Sequence, residues 1–139
     1  MIYELTYNDR KIQYEIDQLV GKKFSILQRL KMKGNGSPSL VINESSLEIT
    51  KLLSNGVDTK NANIELRPQG IIVGFKNGRR VYAWVIPYYY LQVYGSGYRL
   101  NIYGNKHKLK LEDLYKTDEL RKFTRKLMEM KAKINFIDN

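Results

Sequence analysis

The sequence predicts an α+β chain that is mainly β. The expected architecture is a bent antiparallel sheet, or partly open barrel, of about seven short strands. A C-terminal amphipathic helix closes it, and a strand and helix are added in front. Three observations predict this. Between residues 38 and 112, apolar residues alternate in short runs separated by Gly, Pro, Asn and Ser. Asn77-Gly78 sits between two such runs, and both positions tolerate positive φ, the strongest short-range hairpin signal in the chain. From Thr117 onward the apolar residues change to steps of three and four, the period of a helix with one buried stripe.

Ile2 to Tyr7 alternates as a short strand. Asn8 or Asp9 can cap a helix in which Ile12, Ile16, Leu19, Val20, Phe24, Leu27 and Leu30 recur at helical spacing, with Gly21 as a weak point. A strand over Lys11 to Ile16 fits equally, because Ile12, Tyr14 and Ile16 also obey a period of two. Gly34-Asn35-Gly36-Ser37-Pro38 is the nearest thing to an internal boundary. After it, Ser39 to Asn43 and Leu47 to Thr50 read as two strands around a polar turn at Glu44-Ser45-Ser46. Asn55 to Asn63 reads as a loop, and Arg67-Pro68-Gln69-Gly70 as a turn. Gly70 to Lys76 and Arg79 to Ile86 form the hairpin, and Tyr88 to Tyr94 resumes the ladder after Pro87. Gly95-Ser96-Gly97 and Gly104-Asn105 are turns around a strand at Tyr98 to Tyr103, and His107 to Leu111 is the last strand. Thr117 caps the final helix, with Asp118 and Glu119 in its first turn. Its stripe is Leu120, Phe123, Leu127, Met130 and Ile134.

Composition bounds the chemistry. The 139 residues suit one domain, with 1–37 as an N-terminal segment and 38–139 as the meander and helix. There is no cysteine and one histidine, His107. That excludes thiol nucleophiles, disulfide scaffolds, Cys-ligated metals and multi-His sites. No phosphate-binding glycine motif or serine nucleophile elbow occurs. The acids are scattered, and Glu112-Asp113 and Asp118-Glu119 have the ordinary role of a solvated helix entry. No catalytic residue, metal ligand or cofactor is expected, and the chain is read as not an enzyme. The start has no basic region followed by an apolar run, and no stretch approaches a membrane span, so a cytoplasmic location is expected.

The net charge is +10, from 24 basic and 14 acidic residues. Residues 21–40 carry five bases and no acid. Such a balance favours anionic partners and says nothing of fold. Lys76, Arg79 and Arg80 flank one hairpin and Lys106, Lys108 and Lys110 line another; if adjacent, they make one cationic rim. Their ordinary role is to keep hairpin edges soluble. Eight aromatics lie between Tyr82 and Tyr103. Because side chains alternate in strands, Tyr88-Tyr89-Tyr90 must place rings on both faces. Tyr88, Tyr90 and Tyr94 are expected on the exposed one unless residues 1–33 cover it.

Three pieces carry a resemblance to bacterial pleckstrin-homology-like (PH-like) domains across residues 38–134. They are Pro38 to Asn43 with Leu47-Glu48-Ile49, similar to an opening strand pair; Val85-Ile86-Pro87-Tyr88 running into Leu91-Gln92-Val93; and Lys108 to Leu111 leading to a helix with Phe123 and Leu127 inward. The resemblance implies a nearly closed sheet with a plugging helix and a non-catalytic binding or scaffolding role. In that family, lipid-binding hairpins alternate bases along the strand. Here Val81 and Tyr82 follow Arg80, which departs from that pattern. The function expected is therefore binding of a protein or peptide, with nucleic acid or acidic phospholipid head groups as the alternative.

Overall fold

The structure is a computed structural model describing residues 1–53 and 60–137. Its elements in chain order are β1 (Ile2–Glu4), α1 (Arg10–Val20), α2 (Ile26–Lys31), β2 (Leu40–Ser45), α3 (Leu47–Leu53), β3 (Asn61–Arg67), β4 (Gly70–Asn77), β5 (Arg80–Pro87), a 3₁₀ turn at Tyr88–Tyr90, β6 (Gln92–Ser96), β7 (Arg99–Gly104), β8 (His107–Glu112) and α4 (Glu119–Ile137). The strands form one antiparallel sheet in the order β1-β5-β4-β3-β2-β8-β7-β6. It has eight strands where about seven were expected, because β1 returns to pair with β5. The sheet does not close: β1 and β6 are its edges.

The inner face gathers alternate residues of every long strand, including Ile64, Leu66, Val73, Trp84, Ile86, Ile102 and Leu109. The helix α4 plugs this face with Leu120, Phe123 and Leu127, all buried, while Met130 and Ile134 pack partly against it. The predicted stripe thus meets its partner. Upstream, the buried Asp113 carboxylate accepts hydrogen bonds from Tyr115 N, Thr117 N and Thr117 Oγ1. The Thr117 hydroxyl in turn accepts from Glu119 N at 3.3 Å. On the outer face, α1 buries Ile16 and Val20 against Ala83, Val85 and Tyr3. The two packings explain why β5 is apolar on both sides.

The N-terminal segment is helical, not extended, over Lys11 to Ile16. Asp9 accepts from Lys11 N at 2.9 Å and starts α1. Gly21, at φ +86°, ends it, so the single long helix breaks into two. The Gly34 to Pro38 stretch is not a free boundary. Leu66 N donates to Asn35 O and Ser37 N to Ile64 O, both at 2.8 Å, so these residues flank β3 where β2 leaves it.

Three local expectations are corrected. Leu47 to Thr50 begins a helix, α3, not a strand. Ile49 and Leu53, four apart, face the core, while Thr50 N donates to Ser46 O at 2.9 Å. Four residues fit either period, and the helical continuation decides it. The β4–β5 turn centres on Gly78-Arg79, since Asn77 pairs with Arg80 and only Gly78, at φ +61°, is left-handed in that turn. It is not the type I′ turn expected at Asn77-Gly78. Tyr88-Tyr89-Tyr90 leave the ladder in a 3₁₀ turn behind Pro87, so strand alternation does not apply to them. The loop expected from Asn55 lies partly outside the described residues, and its last three positions, Asn61 to Asn63, belong to β3.

Candidate functional site

The outer face of β6, β7 and β8 is open to solvent, and register sorts its side chains into rows. Gln92 lies beside Tyr103 and Tyr103 beside Lys108; Tyr94 lies beside Asn101 and Asn101 beside Lys110; Ser96 lies beside Arg99 and Arg99 beside Glu112. Tyr94 and Tyr103 sit diagonally and meet edge to face, with ring centroids 5.7 Å apart and planes at 78°. Tyr94 is 60% exposed. Tyr90 comes off the 3₁₀ turn at 58% exposure and joins Tyr103, Gln92, Lys106 and Lys108 around a shallow recess of about 470 Å³. A tight two-residue loop aims Lys106 there: Asn105 and Lys106 have φ of +44° and +74°, the double left-handed pattern of a type I′ turn.

The charges on this face are largely answered from within. One carboxylate, Glu44 at the end of β2, takes Lys108 Nζ at 2.9 Å on one oxygen and Lys110 Nζ at 3.1 Å on the other. The hydrogen bond from Lys108, then that from Lys110, holds the Glu44 carboxyl below its ordinary pKa, and the same pairing raises that of Lys110. Glu112 lies 3.7 Å from Arg99 Nε and accepts from Asn43 Nδ2 at 2.9 Å. His107 is half-buried, its ring edge-on to Trp84 at 5.9 Å and its Nε2 3.5 Å from a Glu48 oxygen. It opens β8 and faces Glu48 of α3.

The nine sequence candidates divide into three groups. Tyr90, Lys106 and Lys108 converge on the recess, and Tyr94 and Lys110 adjoin it on the same face. Tyr88 does not: it is fully buried, its hydroxyl donating to Arg67 O at 3.1 Å, and burial pushes its phenol far above the ordinary value. Lys76 lines a separate groove of about 680 Å³ on the outer face of β3, β4 and β5, with Asn61, Asn63 and Glu65. Arg79 and Arg80 occupy the nearby exposed turn, and a hydrogen bond with Tyr82, with Glu4 adding, raises Arg80 further. The groove and the recess share no lining residue, so the two basic hairpins do not merge into one depression. Nor do residues 1–33 cover the tyrosines, since α1 packs on β5 and β4 instead.

Sequence reasoning missed Gln92, Asn101 and the Glu44 clamp. Glu44 was legible only as part of a polar turn, and its partners lie 64 and 66 residues away. It also missed a smaller cavity, of about 270 Å³, between the β6–β7 turn and α4, lined by Arg99, Arg121 and Arg125. Beyond its pairing with β7, β6 makes no further backbone hydrogen bond among the described residues. Among the described residues no helix is long and apolar enough to cross a membrane. No family model matches the chain, and no curated protein or solved structure is significantly similar to it.

Proposed function

We propose that the chain is a non-catalytic, PH-like binding module, and that it takes an extended protein or peptide segment along β6. The free edge of β6, with Tyr94 and Tyr90 exposed beside it, carries this reading. An edge strand offers a row of backbone donors and acceptors to an added strand, and alternate side chains then choose the partner. Tyrosine supplies rigid, amphipathic contact area at small entropic cost. The cations support a protein partner over a nucleic acid. Glu44 already neutralises Lys108 and Lys110, and Arg99 faces Glu112, so few charges on this face are free to meet a phosphate backbone. Lys106 at one end of β6 and Arg121 and Arg125 of the cavity at the other favour a segment with acidic residues at both ends. The PH-like reading draws support from the antiparallel run of β2 to β8 followed by α4. Its opening strand pair is modified, because the second member is α3. A cytoplasmic setting is part of the same proposal.

Peptides selected from a random display library against the full chain test it. Amide exchange should then show protection at residues 92–96. Tyr90→Ala/Tyr94→Ala should bind the selected peptides at least about tenfold more weakly while folding normally, as both side chains are exposed. Protection confined to other strands, or unchanged affinity in the double variant, would sink the proposal. Tight binding of single-stranded oligonucleotides with a steep salt dependence, lost in that variant, would replace it with the nucleic-acid reading.

A further inference from the structure

We propose that α2 is a membrane-surface anchor that seats its apolar face in an anionic bilayer. Three large apolar side chains of α2 face solvent. Ile26 is 71% exposed, Leu27 63% and Leu30 70%, and α2 buries none of its residues. At 100° per residue, these three fall within an arc of about 100°, with Arg29 and Lys31 flanking it on either side and Gln28 opposite. Lys22, Lys23 and Lys33 extend the cationic border along the chain, and no acid occurs from residue 18 through 43. A small apolar face ringed by bases is the arrangement of a helix that lies in a lipid interface. The charge complementarity names the occupant: each Lys or Arg near an anionic leaflet adds attraction, whereas a protein patch of ordinary composition would not call for five bases without an acid.

The element is also built to hold its shape without burying its leucines. Ser25 and Gln28 form a reciprocal capping box, with Ser25 N donating to Gln28 Oε1 at 2.8 Å and Gln28 N to Ser25 Oγ at 3.2 Å. At the other end Gly34 N donates to Arg29 O at 2.8 Å, with Lys33 and Gly34 at positive φ. Phe24 before the helix and Met32 after it pack partly against the core and pin both ends. From α4, Lys126 Nζ donates to Lys33 O and Gly34 O, both at 3.1 Å, which adds a sixth cation beside the segment. A six-residue helix in water is marginal on its own, so these caps and anchors are what keep the apolar face presented outward. The anchor is independent of the β6 face, whose residues it does not use.

Co-sedimentation of the full chain with vesicles tests it. Binding should appear with phosphatidylcholine vesicles containing about 30 mol % phosphatidylserine, be absent with phosphatidylcholine alone, and weaken as salt rises. Ile26→Ser/Leu27→Ser/Leu30→Ser should lower partitioning at least about tenfold while folding unchanged, as reported by the emission of the fully buried Trp84. Leu27→Trp should shift to shorter emission wavelengths on anionic vesicles only. No sedimentation of the parent chain, undiminished binding in the triple serine variant, or an unshifted Leu27→Trp emission would each overturn the proposal. So would size-exclusion data in which the parent chain is a dimer and the serine variant a monomer, since the patch would then be a contact between copies.

Discussion

Replacing Arg67 with methionine should destabilise the fold by about 2 kcal/mol. Arg67 is only 2% exposed, yet it ties α1 and its C-terminal cap to β3. Its Nη1 donates to Asp17 Oδ1 at 3.1 Å and to Gly21 O at 2.8 Å, and its Nε pairs with Glu65. Asp17 and Glu65 are 31% and 35% exposed, so water screens both pairs, and about 1 kcal/mol each is a fair allowance. The Gly21 carbonyl loses its donor, for about 1 kcal/mol more. Methionine recovers about 1 kcal/mol by filling the site with apolar atoms and sparing the desolvation of a guanidinium. The net loss of about 2 kcal/mol should lower the urea midpoint by about 1 M without changing the slope. Arg67→Lys should fall between, because an ammonium cannot reach all three partners as a planar fork does. A methionine variant as stable as the parent would refute the reasoning: the guanidinium's desolvation would then cancel its bonds, as it does in some buried ion pairs.

Gly70→Ala should cost about 3 kcal/mol, seen as a fall of about 10 °C in the thermal midpoint by circular dichroism. A Cβ there would collide with Ile86 O and Val20 Cγ1 and lie 2.9 Å from Pro87 Cα, so the β5 backbone must move as well as the Val20 side chain. Tyr88→Phe should cost about 1 kcal/mol in urea unfolding, because the buried Arg67 carbonyl loses the hydroxyl donor at 3.1 Å. Burial pushes the Asp113 carboxyl pKa up, but hydrogen bonds from Thr117 and Tyr115 outweigh it and leave the pKa below its ordinary value. Its contribution is therefore complete above pH about 4 and is lost as pH falls through the lowered value; Asp113→Asn should flatten that acid limb in urea titrations run at successive pH values.

How much of this was legible follows the range of the interactions involved. The helix stripe from Leu120 to Ile134 was readable because one period of 3.6 recurs over several turns, and any core-facing surface satisfies it. The strands from Gly70 to Leu111 were readable because Gly- and Asn-containing turns punctuate short apolar runs; the side-chain rows on β6, β7 and β8 follow once the registers are known. Segments that fit two periods over four residues were not readable. Leu47 to Thr50 became a helix because Ile49 and Leu53 together meet the core. Tyr88 was placed on the wrong side because a 3₁₀ turn behind Pro87 replaced the alternation on which the expectation stood. The candidate site was half legible for a related reason. Sequence shows which residues are basic, but not that Glu44 holds Lys108 and Lys110 together or that Arg99, Arg121 and Arg125 share a cavity. Net charge is a sum, whereas recognition depends on which charges remain unanswered after folding. On the β6–β8 face Glu44 and Glu112 answer most of them, whereas the stretch around α2 carries no acid from residue 18 through 43; that difference, and not the +10 itself, underlies the two proposals.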